Sequence, residues 1–162
     1  MPDKPVVLNN TPLVALWTLG RLDLLRDLFG EVLIPAAVEA EFLAVEEAVR
    51  REALQRAPWI KRATLSRPRR ALAYAELDQG EAEVLALSEE HDARLVIIDE
   101  RKARRFAERM EIPRTGTLGV LLLAKEAGLI ASVSACVRNL QEAGLFLAPG
   151  LVRRVLEIAG EG

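Results

Sequence analysis

The sequence predicts an α/β fold, a three-layer α/β/α sandwich with a central parallel sheet. Short apolar runs alternate with helical patterns along the chain, and this alternation is typical of parallel strands joined by crossover helices. The clearest run, residues 95–98, is apolar throughout, as expected for a strand buried on both faces. A length of 162 residues suits one domain, and we expect residues 1–162 to form it.

The first half of the chain begins with a strand, a turn and a helix. Residues 6–8 predict the strand, Asn9 ends it, and Pro12 stands where a helix running to Gly20 can begin. The later elements of this half are an amphipathic stretch ending at Gly30, a strand at 32–34, a long helix at 36–56 with one possible break, and a weak strand at 59–65.

The second half opens with a break at 67–70 and then becomes mainly helical. Its predicted elements are a helix after residues 78–80, the strand at 95–98, a basic helix from 101 to about 110, an apolar helix that follows 115–119 and ends near Gly128, and helices at 132–143 and 149–159.

Composition excludes several classes of protein. Hydrophobic residues make up 51% of the chain and charged residues 28%, so an intrinsically disordered chain is excluded. No apolar run approaches the roughly 20 residues of a membrane span and no leader pattern opens the chain, so we expect a cytoplasmic protein without a membrane partner. Cys136 and His91 are single residues of their types, which excludes an internal disulfide and a structural zinc site.

A net charge of −2 argues against a uniformly basic nucleic-acid coat, so any nucleic-acid contact must be local. In a parallel sheet the functional crevice lies beyond the carboxyl ends of the strands. Asn9 and Asp99 come directly after predicted strands, and Glu41 and Glu81 lie on adjoining helices. These four residues are therefore the candidate site.

Several short motifs follow one another along nearly the whole chain. They are residues 6–13, Ile34 and Pro35 followed by Val38 and Glu41, residues 80–83, residues 98–101, and residues 115–121 followed by 124–125 and 128–130. In the order and spacing of these motifs the chain resembles PIN-domain proteins. Their fold is that of the metal-dependent ribonucleases that act as VapC-like toxins in toxin–antitoxin pairs. Its last motifs resemble an uncharacterised PIN-like subfamily described as predicted nucleic-acid binding.

The resemblance implies a four-position acidic site that binds Mg²⁺ or Mn²⁺. The family's positions fall on Asn9, Glu41, Glu81 and Asp99, with the three acids as catalytic residues, and Thr11 matches the hydroxyl that orients the site. Hard divalent cations prefer oxygen ligands, and a bound cation relieves repulsion between clustered carboxylates. Asn9 departs from the family's aspartate, so we expect weaker metal binding and a slow or inactive nuclease.

Each candidate also has a simpler interpretation. Asn9 is a good helix N-cap, and Glu41 lies among other glutamates that suit a solvated helix face. Glu81 in a first helical turn interacts favourably with the helix dipole whatever its function, and Glu83 is an alternative acid for the same position. Asp99 is the strongest candidate because it follows a buried strand.

Basic and hydroxyl side chains near Asp99 are candidates for RNA contacts. Arg101 and Arg104 stand at the start of the basic helix, and Thr115 and Thr117 precede the apolar helix, where they could meet a phosphate. A solvated helix face and simple N-capping explain these residues as well. The basic residues at 67–70 fit either a linker or an RNA-binding rim.

The sequence thus leads to two functional hypotheses from different classes. The first is a metal-dependent endoribonuclease, the toxin of a toxin–antitoxin pair, with RNA as substrate, a small antitoxin protein as partner and a homodimeric assembly. The second, favoured by Asn9, is a catalytically silent protein of the same fold that binds RNA or a partner. A phosphatase with a carboxylate-bound metal is a weaker third alternative.

Overall fold

The computed structural model describes residues 4–162, in which five parallel strands form one sheet between layers of helices. The strands are β1 (Val6–Leu8), β2 (Val32–Pro35), β3 (Ile60–Ala63), β4 (Leu95–Ile97) and β5 (Arg114–Thr115). Their order across the sheet is β3-β2-β1-β4-β5, and every neighbouring pair is parallel. The predicted α/β class with a central parallel sheet is confirmed.

The connections between strands are helical. The α-helices are α1 (Asn10–Thr18), α2 (Asp23–Phe29), α3 (Ala36–Leu43), α4 (Glu47–Gln55), α5 (Gln79–His91), α6 (Arg101–Arg109), α7 (Thr117–Glu126), α8 (Val133–Glu142) and α9 (Pro149–Ile158). Across the 159 residues that follow Asp3, no helix is both long enough and apolar enough to span a membrane.

The direction of the chain across the sheet reverses at β1. From β1 the chain moves outward through β2 to β3, then returns to place β4 on the free side of β1. Helices therefore diverge on either side of this point, which leaves a crevice beyond the carboxyl ends of β1 and β4. The Asn9 backbone N–H donates to the Ile97 carbonyl at 3.0 Å, so this crevice begins directly after Leu8.

The central strands are the most deeply buried part of the molecule. Val6, Val7 and Leu8 of β1 have no exposed surface, and the same is true of Val96 and Ile97 of β4. Burial of each such side chain contributes on the order of 1.5–3 kcal/mol. The two strands that precede Asn9 and Asp99 are thus anchored on both faces, which fixes where these two residues emerge.

One local prediction differs from the structure, and one short strand was not predicted. The predicted break at 67–70 begins a 3₁₀ helix, Pro68–Tyr74, in which the proline occupies the first turn and Tyr74 is buried. Strand β5 was not predicted, because two residues provide too little pattern to detect. The long helix predicted at 36–56 is indeed broken once, at residues 44–46, where Glu46 adopts a left-handed conformation with φ of 48°.

Candidate functional site

Asn9 lies at the N-cap position of α1, but its side chain makes no capping hydrogen bond. The residue is 5% exposed, and its Oδ1 has no hydrogen-bond partner among the residues after Asp3. A buried acceptor without a partner costs on the order of 1–3 kcal/mol. Capping therefore does not explain this side chain, whose oxygen is left available for a ligand.

Glu41 approaches Asn9 at Gly80, the second residue of α5. A Cβ atom added at Gly80 would lie 3.0 Å from Glu41 Oε1 and 3.7 Å from Asn9 Oδ1. Glycine at this position leaves room for both oxygens. Partial burial raises the pKa of Glu41, the charge of Asp78 raises it further, and a hydrogen bond with Asn10 offsets part of the shift.

The helix that carries Glu41 is braced at both ends. At its start, the Ala37 backbone N–H donates to Glu83 Oε1 at 3.1 Å, which links α3 to α5. Beyond its last turn, Arg50 of α4 donates through Nη1 to the Phe42 carbonyl at 3.0 Å. The Arg50 guanidinium also lies 4.6 Å from the centre of the Trp17 ring. These contacts fix the helix that carries Glu41 relative to α4 and α5.

Glu81 is 9% exposed and lies in the first turn of α5. It forms a capping box with Asp78, in which the Glu81 N–H donates to Asp78 Oδ1 at 2.8 Å and the Asp78 N–H donates to Glu81 Oε1 at 3.3 Å. Burial raises the pKa of Glu81 to about 7, with the charge of Asp78 as the next cause. The alternative acid, Glu83, is instead used to bind the start of α3.

Asp99 is held by the N-terminus of α7. Its Oδ1 accepts the Thr117 backbone N–H at 2.7 Å, and its Oδ2 accepts the Thr117 hydroxyl at 2.6 Å. The carboxylate also lies directly against Gly116, where there is no space for a Cβ atom. Asp99 is therefore fixed in one orientation, with further lone pairs free on each oxygen.

The predicted phosphate-contacting residues occupy different surroundings. Thr117 is 1% exposed and gives both of its donors to Asp99, while Thr115 packs through Oγ1 against Gly119. Arg104 lies in the crevice, and Arg101 lies in the neighbouring groove that also contains Asp99. Contacts of these four residues with RNA stay predictions.

The crevice has a volume of about 400 Å³. Predicted site residues form one wall of it, namely Thr11, Glu81, Asp99, Arg104 and Thr117. Residues 145–148 and Leu151 also line the crevice, and sequence reasoning missed them. Asp78 was also missed as a neighbour of the acids, although the spacing of Asp78 and Glu81 is that of a capping box and could have indicated it.

The residue types fit a hard divalent cation, since every candidate ligand offers oxygen and the Asn9 Oδ1 has no other partner. The raised pKa values of Glu41 and Glu81 also mark carboxyl groups that a cation would stabilise in their ionised form. Within residues 4–162, however, no three His, Cys, Asp or Glu side chains are already arranged to hold a metal ion. Of the four candidate residues, Glu81 and Asp99 line the crevice, whereas Asn9 and Glu41 meet beside Gly80 and are not among its lining residues.

Comparison with known proteins identifies the family. A search of curated proteins finds no match. The model of a family described as a PIN domain matches residues 5–161, nearly the whole chain, and the protein therefore belongs to the PIN-domain family.

Proposed function

We propose that this protein is a metal-dependent endoribonuclease that hydrolyses phosphodiester bonds of RNA. PIN domains have a nuclease-type fold and are generally dependent on divalent metals. The observation that carries the proposal is the unpartnered Oδ1 of Asn9, which follows β1 directly and lies beside the Glu41 carboxylate at Gly80. A buried oxygen without a partner, next to acids of raised pKa, is the arrangement expected of a cation site.

In this proposal Glu41, Glu81 and Asp99 are the charged ligands and Asn9 is a neutral one. A bound Mg²⁺ or Mn²⁺ supplies polarisation of the scissile phosphate and lowers the pKa of a water molecule. Thr117 keeps the Asp99 carboxylate in place through its two hydrogen bonds, and the exposed hydroxyl of Thr11 is available to orient water or phosphate. Burial raises the pKa of Glu81 to about 7, so a bound cation would favour the ionised form of this carboxyl group at neutral pH.

The direct test is calorimetry with Mn²⁺ on the natural protein and on Asp99→Asn. We expect binding by the natural protein and a large loss in the variant, with Glu126→Gln, a change of an exposed acid on α7, as the matched control. Incubation with RNA and with DNA in the presence of each metal then identifies the substrate. Equal Mn²⁺ affinity in all three proteins would exclude Asp99 as a ligand.

A catalytically silent RNA-binding protein is the second candidate. It is favoured by the amide at position 9 and by the lack of a ready three-acid cluster within residues 4–162. RNA binding that persists in a chelator, with no cleavage in Mg²⁺ or Mn²⁺, would support this candidate against the nuclease. Recovery of cleavage in Asn9→Asp would then identify the amide as the cause.

We further propose that the protein is the toxin of a toxin–antitoxin pair, acting as a homodimer that a small antitoxin protein inhibits. A ribonuclease with this role should arrest growth when its expression is induced in a bacterial host, and Asp99→Asn should relieve the arrest. Sedimentation of the purified protein tests the dimer. Growth arrest that is unchanged in the Asp99 variant would contradict the toxin role through RNA cleavage.

A further inference from the structure

A second concave surface opens beside the crevice and contains five arginines. Its volume is about 760 Å³, and it shares Asp99, Arg104 and Leu151 with the crevice, so the two are continuous. The arginines of this surface, which we call the arginine groove, are Arg101, Arg104, Arg105, Arg114 and Arg154. They come from α6, β5 and α9, so the positive charge is assembled by the fold rather than by one helix.

Most of these guanidinium groups have no carboxylate partner. Within residues 4–162, Arg114 alone among the five makes an ion pair, with Glu108 at 3.6 Å. Among the residues that the structure describes, the other four have no acidic partner within 4.0 Å. The chain as a whole carries a net charge of −2, so this concentration of positive charge is local. A surface of this kind attracts a polyanion.

An exposed aromatic ring lines the crevice two residues before Ala148, which lines both concavities. This ring is Phe146, which lies between α8 and α9 and is 85% exposed. A single exposed apolar side chain carries little meaning on its own. Here the ring lies within one continuous surface with the unpaired arginines and Asp99, which is the combination used by proteins that bind unpaired nucleotides.

We propose that the arginine groove and Phe146 form a binding site for a single-stranded segment of the RNA on one side of the cleaved bond. Phosphates lie along the guanidinium groups, and an unpaired base stacks on Phe146. The proposal rests on the proposed function for the identity of the polymer as RNA. A base in a duplex has both faces covered by its neighbours, so an exposed ring favours a single strand.

The test measures binding to the whole protein in a chelator, where cleavage cannot occur, by fluorescence anisotropy of a labelled mixed-sequence RNA of about ten nucleotides. We expect the single strand to bind more tightly than the same sequence in a duplex. Phe146→Ala should weaken single-strand binding about tenfold, while Phe146→Trp should retain it. Arg154→Ala should weaken binding and lower the slope of log K against log salt by about one.

Matched controls separate the groove from the rest of the surface. Arg153→Ala removes a neighbouring exposed arginine of α9 that does not line the groove, and Ile158→Ala removes an apolar side chain that is 64% exposed on the same helix. Both controls should bind RNA as the natural protein does. Equal losses in controls and test variants would overturn the proposal, because binding would then be a property of general surface charge.

Other outcomes would also overturn the groove proposal. One is equal affinity for duplex and single-stranded RNA, and another is an acidic peptide that binds as tightly as the RNA. A third is a change in oligomeric state in Phe146→Ala, which would indicate that the ring lies between copies of the chain. If the natural protein cleaves RNA and both variants cleave and bind normally, the groove proposal fails while the nuclease proposal stands. If RNA binding depends on Phe146 and Arg154 but no metal supports cleavage, the groove proposal stands and the nuclease proposal fails.

Discussion

In two regions of this protein a glutamate side chain lies at the start of a helix, and the pKa of its carboxyl group is shifted in opposite directions. The first region is the carboxyl-terminal junction, which consists of Glu161, Lys125, Ser132 and the first residues of α8. Here Glu161 accepts hydrogen bonds from Lys125 Nζ at 2.7 Å and from Ser132 Oγ at 2.9 Å. The Val133 and Ser134 backbone N–H groups complete the set, and these donors, with Lys125 first, lower the pKa of Glu161 to about 2.

In the crevice, by contrast, Glu81 has its own capping box and an acidic neighbour but no basic partner among the described ion pairs. Its pKa is raised to about 7, mainly by burial. A carboxylate surrounded by donors contributes to stability, whereas a buried carboxylate short of donors decreases it in the ionised form. The opposite pKa shifts therefore distinguish an acid that stabilises the fold, Glu161, from one that a bound cation would stabilise, Glu81.

The largest expected effect is on cleavage. Asp99→Asn removes a proposed charged ligand from the crevice, and it keeps an oxygen that can still accept the Thr117 N–H. We expect RNA cleavage to fall by about 100-fold or more, with the folded structure retained. Gel analysis of cleaved RNA and the unfolding temperature measure the two effects, and full activity in the variant would remove Asp99 from the site.

The next largest effect is expected at Gly116. The added methyl group of Gly116→Ala would overlap the Asp99 carboxylate, and we expect a cost of about 1–3 kcal/mol together with weaker metal binding. Gly150→Ala is the control, because the nearest atom to its added methyl would be Arg153 Nη2 at 4.0 Å. Chemical denaturation compares the two, and equal stability would mean that the backbone at Gly116 can move aside.

A smaller effect is expected when the missing charge is restored. Asn9→Asp should tighten Mn²⁺ binding about tenfold, because a charged oxygen replaces the neutral one. In the absence of metal the variant should unfold at lower temperature, because a buried charge joins Glu41 near Asp78. Asn139→Asp, on the exposed face of α8, is the control. Unchanged Mn²⁺ affinity would mean that position 9 contributes no ligand.

The smallest effect is the pH dependence of stability, where the two regions should have opposite signs. Protonated Glu81 contributes stability that is present below its ordinary pKa of 4.5 and is lost as the pH rises toward about 7. Ionised Glu161 contributes stability that is present above 4.5 and is lost as the pH falls toward about 2.

Unfolding temperatures between about pH 3 and pH 8 test this difference. Glu81→Gln should flatten the profile between pH 4.5 and about 7, and Glu161→Gln should lower stability most at neutral pH. Glu126→Gln, an exposed change on α7, should leave the profile unchanged. Parallel profiles in all three variants would contradict the contrast between the two regions.

The sequence was sufficient to predict four of the five strands, all except β5, and the residues that follow the two central strands. Continuous apolar runs identify β1 and β4, and the geometry of parallel sheets then places Asn9 and Asp99 at one edge. The lining that the C-terminal part of the chain adds to the crevice could not be predicted in this way. Phe146 and Leu151 line the crevice only because α8 and α9 pack against the rest of the molecule, and no local pattern encodes that contact.

Local chemistry also left choices that only the folded arrangement could resolve. Asn9 before Pro12 suits an N-cap by sequence, and the structure gives its side chain no capping bond. Position in the first helical turn favours Glu81 and leaves Glu83 as an alternative, and in the structure Glu83 accepts the Ala37 N–H of another helix. Such assignments depend on partners far away in sequence, which propensity and periodicity do not contain.

The order of strands in the sheet also sets when the site can exist. Asn9 and Glu41 are synthesised early. Strand β1 cannot pair with β4 until β4 has been synthesised, and Asp99 cannot accept its two hydrogen bonds until Thr117 has been added. Pairing of such distant segments is a late event in folding. A growing chain therefore has no complete site until residue 117 has left the ribosome, whatever chemistry the finished site performs.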